Sequence, residues 1–408
     1  MSVMVVVATS LFLPVATPAA DAAATTTYRR VGYLSRAAGS FTVRDLVQKG
    51  SAAQLTNLQY AFAGVSSTGE CLAVPDDYQR LLPATDTLDG AADQPGQALA
   101  GTFNQIKKLK AVYRLRTSIS IGGGSGSANF TTAAATAESR EKFVASCIDL
   151  YIKGNLPQAT PGAGAGVFDG IDIDWEYPGS VDAADKTNFT LLLKEFRRQL
   201  DQIYAATGDY LLLTAALGGS KSIVAQAYEL PKIFTYLDWA LVMAYDMHNA
   251  RETPHKTNHQ AALHPNTAAG SNVTRRDVDL YLDNFVTTGV APNRLVLGVP
   301  FYSRGWKGVT DAGNGLFQTA AVITEPAPLD YRTVKSLRDS GYQRYWDPIA
   351  AAAWLFDGST FWTFDDAETM SVKAAYVKAH TLGGIGVWAL SGDDEQGTLL
   401  SAIDTGLR

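Results

Sequence analysis

The chain of 408 residues has little cysteine, little histidine and little charge. Its two cysteines, Cys71 and Cys147, cannot build a disulfide-dense scaffold. They are compatible with one bridge in an oxidising compartment or with two buried thiols, and spacing does not decide between these. The five histidines show no metal-ligand spacing, and His255 and His259 fall in what reads as a polar loop, so no zinc site is expected. Charged residues make up 18% of the chain, the net charge is −6 and no basic run occurs, which argues against a nucleic-acid partner. No apolar run is long enough to span a membrane; the strongest, Val3 to Val15, is short and interrupted by Pro14. The glycine-rich stretch "SIGGGSGS" (120–127) lacks the Gly-Lys-Ser/Thr of a phosphate loop. Internal repeats are absent, and no cofactor is expected.

Apolar residues, by contrast, reach 46%, with eighteen Tyr and seven Trp. The opening "MSVMVVVATSLFLPVATPAADAAATTT" joins an apolar stretch to small residues with cleavage patterns near Ala22–Ala24, and residues 1–24 read as an export signal although no Lys or Arg precedes Arg29. Secretion is therefore expected, and the sequons at Asn129, Asn188 and Asn272 matter only in a host that glycosylates exported proteins. From residue 25 to 408 a strand-then-helix rhythm recurs. Strand candidates are 29–35, 57–64, 116–123, 170–178, 210–219, 237–246, 294–306 and 383–391. Between the fourth and fifth, Phe189, Leu192, Leu193, Phe196, Leu200 and Ile203 share one helical face that Gly208 terminates, and "DVDLYLDNFVTTG" predicts another helix. The run "PQATPGAGAGVFDG" reads as a loop entering strand four. Eight alternations predict a closed (β/α)8 barrel, with residues 307–364 as a small α+β insertion between strand seven and its helix that walls a cleft.

The stretch "DGIDIDWE" (169–176) carries the chemistry. Along a strand, Ile171, Ile173 and Trp175 face one way, toward the helices, while Asp172, Asp174 and Glu176 face the barrel interior, roughly 7 Å apart. Carboxylates confined together cannot all ionise, so burial and repulsion hold one protonated near neutral pH. Glu176, last and longest, lies nearest the strand's C-terminal end where barrel sites open, and is the expected proton donor; Asp174 is its charged partner and Asp172 lies deeper. A solvated acidic face fits poorly with the apolar residues in the gaps. A calcium loop would need Gly where Tyr177 stands. Other strand ends contribute Met243, Tyr245 and Asp246 from strand six, Tyr302 and Arg304 from strand seven, and Trp388 from strand eight. Aromatic faces ringed by hydrogen-bonding groups suit a sugar ring.

With these residues in view, the chain resembles the family 18 chitinases among glycoside hydrolases. "DGIDIDWE" matches that family's D-x-x-D-x-D-x-E signature, and "SISIGG", "MAYD", "GVPFYSRGW", "YQRYWD", "FDD" and "GGIGVWALSGDD" resemble its other landmarks in order. The resemblance implies hydrolysis of β-1,4-linked N-acetylglucosamine, in chitin or chitooligosaccharides, by a retaining substrate-assisted route. In it Glu176 is the acid and then the base, and the substrate's acetamido oxygen is the nucleophile. Asp174 and Tyr245 would orient the acetamido group, Asp172 would tune Asp174, Asp246 would hold the distorted sugar and Trp388 would floor it. Met243, Tyr302, Arg304, Tyr33, Phe62, Tyr177 and Gly123 complete the expected binding set, with Asp169 and Ser120 in support. One departure is Gly124, where the family often carries a Trp that stacks on a sugar beyond the cleavage point. The chain is expected to act as a monomer. Two other functions share the pattern: a chitin-binding lectin, which typically lacks the glutamate, and an endo-β-N-acetylglucosaminidase on N-glycans, which usually lacks the inserted wall.

Overall fold

The structure, a computed structural model, describes residues 27–36, 41–269, 275–322 and 325–408. The expected signal at 1–24 and the sequon Asn272 lie outside these residues. Strands β1 (Arg29–Ser35), β2 (Asn57–Ala63), β3 (Arg116–Gly122), β4 (Gly170–Asp174), β5 (Leu212–Gly218), β6 (Trp239–Met243) and β7 (Leu295–Pro300) pair in parallel, each beside its sequence neighbour. After β7 the chain leaves the barrel and builds an antiparallel sheet from β8 (Arg304–Val309), β9 (Ala320–Val322), β10 (Gln343–Asp347), β11 (Ala352–Phe356) and β12 (Thr360–Phe364), in the order β10-β11-β12-β8-β9. Strand β13 (Gly384–Trp388) then returns between β7 and β1 and closes the eight-stranded barrel.

The boundary of the seventh strand differs from the sequence expectation. Barrel pairing ends at Pro300, and "RGW" belongs to β8 of the inserted sheet. The cause is a turn held by the Ser303 N–H on Leu329 O at 2.8 Å and by a bridge between Tyr302 and Asp330. Trp306, fully buried, then packs with Trp354 and Phe361 in the insertion's own core rather than under the barrel helices. The insertion therefore begins at Arg304, ahead of the expected residue 307. A short helix, Tyr331–Ser336, accompanies its sheet. His259, expected in a polar loop, is instead buried beside Trp354, its Nε2 3.2 Å from Asp347 Oδ2.

Periodicity explains the helical layer. The helix Asp185–Thr207 buries Phe189, Leu192, Leu193, Phe196 and Leu200, and Gly208, at φ +80°, accepts the left-handed turn that ends it. Val278–Val286 starts at Asp277, whose carboxylate accepts the Leu280 N–H at 2.9 Å. The main core lies between this layer and the outward faces of the strands, Ile171 and Ile173 included. Inside the barrel a second cluster joins Val31, Tyr33, Ala61, Ala216, Trp239, Leu241, Met243 and Val296, closing the interior from below. Among the described residues no helix is long and apolar enough to cross a membrane.

Candidate active site

Strand β4 delivers its carboxylates as the alternation requires. Asp172 is fully buried and satisfied by three hydroxyls: Tyr33 donates at 2.9 Å, Ser120 at 2.8 Å and Thr214 at 2.5 Å. Each donor comes from a different strand, β1, β3 and β5, and Gln59 of β2 donates in turn to Thr214 at 3.1 Å. Burial raises the Asp172 pKa while the three hydrogen bonds oppose the rise.

Asp174, one pleat nearer the mouth, has no such support. It is 4% exposed and its Oδ1 has no hydrogen-bond partner. Burial first, then the charges of Glu176 and Asp172, push its pKa well above the carboxylate range. Glu176 follows at the rim, half-buried, its pKa raised by burial and then by Asp246, against the lowering effect of the Tyr177 phenol beside it. Two raised carboxyls that feel each other's charge titrate as a pair rather than singly, and the pair holds a proton at pH values where isolated carboxylates are ionised. Trp175 between them packs outward on Phe130 (ring centroids 5.1 Å, stacked) and Phe189, anchoring the strand end.

The other strand ends surround this pair. Tyr245 is half-buried, and burial followed by the charges of Asp174 and Glu176 suppresses ionisation of its phenol. Asp246 lies three residues beyond β6, exposed, with φ +56°. It accepts the Tyr302 hydroxyl at 2.8 Å and the Arg304 Nε at 2.7 Å. Arg304 reaches it from the first residue of β8, so this part of the rim comes from the insertion and not from a barrel strand. Trp388 stacks on Phe62 (5.3 Å, 23°) and meets Tyr33 edge-on at 5.7 Å. Tyr33 and Met243 belong to the inner barrel cluster, Phe62, Trp388 and Tyr177 pack against it, and together they floor the opening. Beside them a cleft of about 500 Å³ runs past Asp246, Tyr302, Arg304, Trp388 and Asp330.

Gly123 fits this floor for a steric reason: at φ +80°, a Cβ there would sit 2.6 Å from the Phe62 ring. A Cβ at Gly124 would meet Glu176 Oε1 in van der Waals contact at 3.5 Å, so this position lies directly beside the expected acid. Asp169, expected only in support, lies away from the mouth. It stands before β4, at the opposite end of the barrel, pairing with Lys110 Nζ at 2.7 Å and accepting the Thr117 N–H at 2.9 Å. Its place in the acidic pattern reflects a lock on the strand's entry, since five residues of extended chain put it about 16 Å from Asp174.

Sequence reasoning missed Thr214, Gln59, Ser127 and Glu325. Thr214 is recoverable from register, because it lies directly opposite Asp172 on β5. Glu325, nearly buried, accepts Arg304 Nη1 at 3.1 Å, a contact across the insertion that no local pattern announces. Cys71 and Cys147 are bonded, which resolves the alternative left open by spacing.

Comparison with known proteins agrees with this geometry. Residues 29–393 match the sequence model of the Glycosyl hydrolases family 18. Chitinase A1 of Niallia circulans is 35% identical over 94% of this chain and 60% of its own length, and Chitinase 63 of Streptomyces plicatus 32% identical over 90% and 58%. The chain thus spans about 60% of the length of these curated relatives. Among solved structures, the catalytic domain of psychrophilic chitinase B from Arthrobacter TAD20 superposes with a TM-score of 0.86 at 33% identity, covering 94% of this chain and 96% of that one. A family 18 N-acetylglucosaminidase from Paenibacillus barengoltzii gives 0.74 at 29% identity, covering 93% of this chain and 99% of that one. With the whole barrel matched and the acidic strand in its expected place, the chain belongs to glycosyl hydrolase family 18.

Proposed function

We propose that the protein is an exported chitinase that hydrolyses β-1,4 linkages between N-acetylglucosamine units with retention of configuration. The observation that carries this reading is the unpartnered Oδ1 of Asp174, a buried acceptor adjoining a raised glutamic acid. A buried acceptor without a donor is costly unless a ligand supplies one. The N–H of a 2-acetamido group, held over the Trp388 and Phe62 rings, is such a donor.

In the proposed cycle the Glu176 carboxyl gives its proton to the glycosidic oxygen as the bond from C1 to that oxygen breaks. The acetamido oxygen attacks C1 and forms an oxazolinium ring, whose positive charge Asp174 offsets and whose N–H it accepts; Tyr245 donates to the group from the other side. Water then attacks C1 and loses a proton to the Glu176 carboxylate, the ring opens, and two inversions give net retention. Asp246, fixed by Tyr302 and Arg304, holds the distorted sugar. Export at residues 1–24 is supported by the Cys71–Cys147 bond, since disulfides persist in oxidising compartments. The inserted sheet, which supplies Arg304, favours chitinase over an N-glycan endoglycosidase, and the intact Glu176 favours an enzyme over a lectin.

The test is incubation with chitin hexasaccharide, following products and anomers by early-time NMR. Short oligomers with new β-anomeric ends are expected from the wild type, and none from Glu176→Gln, which should still bind the sugar. Binding without cleavage by the wild type would make the protein a lectin. Release of monomer alone, as the N-acetylglucosaminidase relative would suggest, would make it an exo-acting enzyme.

A further inference from the structure

The glycine-rich stretch 120–127 finds no use as a phosphate loop, yet it folds into a definite device. Ladder pairing between β3 and β4 ends with the Gly123 N–H donating to Asp174 O at 2.8 Å. Beyond that point Glu176 has left the sheet, and its N–H has no strand partner. The chain after β3 turns back at once: the Gly126 N–H donates to Gly123 O at 3.0 Å, and a Cβ at Gly126 would lie 2.2 Å from Gly122 O, so this turn closes only around glycine. The turn delivers Ser127, 8% exposed, to the strand end. Its Oγ accepts the Glu176 N–H at 2.9 Å and donates to Gly123 O at 2.9 Å, with Asp174 O also within reach at 3.2 Å. A hydroxyl has one proton and two lone pairs, and both functions are used.

We propose that Ser127 is the positioning residue of the catalytic acid: its hydroxyl continues the β3–β4 ladder by one bond and fixes the backbone from which the Glu176 carboxyl projects. This role rests on the reading of Glu176 as the acid. Ser127 touches neither the substrate site nor the Glu176 carboxyl; it acts through the main chain. Without it the part-buried Glu176 N–H loses its acceptor and Gly123 O one of its two donors, and the rim segment is free to turn the carboxyl toward water. Displacement of a general acid costs rate more than binding, because its contact with the leaving oxygen tightens in the transition state.

The experiment is Ser127→Ala in the full chain, assayed on chitin hexasaccharide across pH, with the Glu176 carboxyl followed by carbon-13 titration. The variant is expected to lose kcat by about tenfold to a hundredfold with KM changed by less than about threefold. The Glu176 titration and the basic limb of kcat/KM should both move to lower pH, toward the ordinary carboxylate value. Unchanged kcat and an unmoved titration in a folded variant overturn the proposal. Should Ser127→Ala not fold, Ser127→Thr and Ser127→Cys decide. Threonine, which keeps the hydroxyl, should retain most of kcat, while the weakly hydrogen-bonding thiol should not; equal kcat in the two overturns it. If the wild type does not cleave the oligosaccharide, the functional reading fails by itself. The Glu176 titration still reports whether Ser127 holds the segment: a downward move supports the proposal and none overturns it.

Discussion

Asp172 and Asp174 are alternate residues of one strand with opposite fates. Three hydroxyls satisfy Asp172, while Asp174 keeps an unpaired oxygen between two like charges. A carboxyl whose native pKa lies above its unfolded value binds its proton more tightly when folded. It contributes stability fully below the unfolded pKa of about 3.9, and that contribution is lost as pH rises through the native value. Asp174→Asn removes this term. Its melting temperature should therefore fall less steeply than the wild type's between about pH 4 and neutrality, while kcat drops by several orders of magnitude and KM changes little. Parallel slopes in calorimetry would show that the raised pKa is not felt by the fold. Asp246 acts on the same system from outside, as a charge that raises Glu176. In Asp246→Asn the basic limb of the rate profile should shift toward acid, and a shift the other way would contradict the assignment.

At the scale of elements, the site is a set of strand ends tied to one another rather than a single motif. The floor depends on close approach of the loop after β3 to the end of β2, and Gly123 permits it. Gly123→Ala places a methyl group against Phe62 at a φ that alanine adopts only with strain. It should displace the Phe62–Trp388 stack and weaken oligosaccharide binding. Titration with chitin hexasaccharide, read by tryptophan fluorescence, checks this; wild-type affinity would mean that the stack has moved without consequence. Between insertion and barrel, the chain Glu325–Arg304–Asp246–Tyr302 carries orientation across the cleft through four side chains. The inserted sheet thereby shapes the site directly instead of only walling it.

For the molecule as a whole, the Cys71–Cys147 bond ties the loop after β2, which borders the mouth, to the C-terminal end of the helix Ala137–Cys147. Two hydrogen bonds reinforce the tie: the Cys71 N–H donates to Ser146 Oγ at 2.8 Å and Tyr151 donates to Leu72 O at 2.5 Å. The bond spans 76 residues, for which chain entropy allows a stabilisation of about 4.5 kcal/mol. Replacing both cysteines by alanine should lower the melting temperature by several degrees with kcat nearly intact, because neither sulfur contacts the acidic pair. A large loss of kcat at a temperature where the variant remains folded would mean that the loop positions the substrate.

Alternation along "GIDIDWE", the eight strand-helix alternations and the ordered strand-end landmarks were enough to place the barrel and the carboxylate row, and to mark Glu176 as the candidate acid. These properties follow from local rules: a period of two on a strand, a period of 3.6 on a helix, and sites at the C-terminal ends of barrel strands. What local rules do not contain is which side chains meet across strands. Asp169 shares the acidic run yet lies at the far end of the barrel, because a strand has two ends and one motif spans both. Arg304 looked like the end of strand seven and belongs to the insertion, because burial of Trp306 against Trp354 and Phe361 outweighs continuation of the barrel pairing. Thr214, Gln59, Glu325 and Ser127 each have a partner at least 21 residues away, so the neighbours that give them meaning exist only once the barrel has closed. The sequence by itself determined the fold and the candidate carboxyls; the tertiary structure decided which of them is satisfied and which is left unpaired, because their hydrogen-bond donors come from other strands.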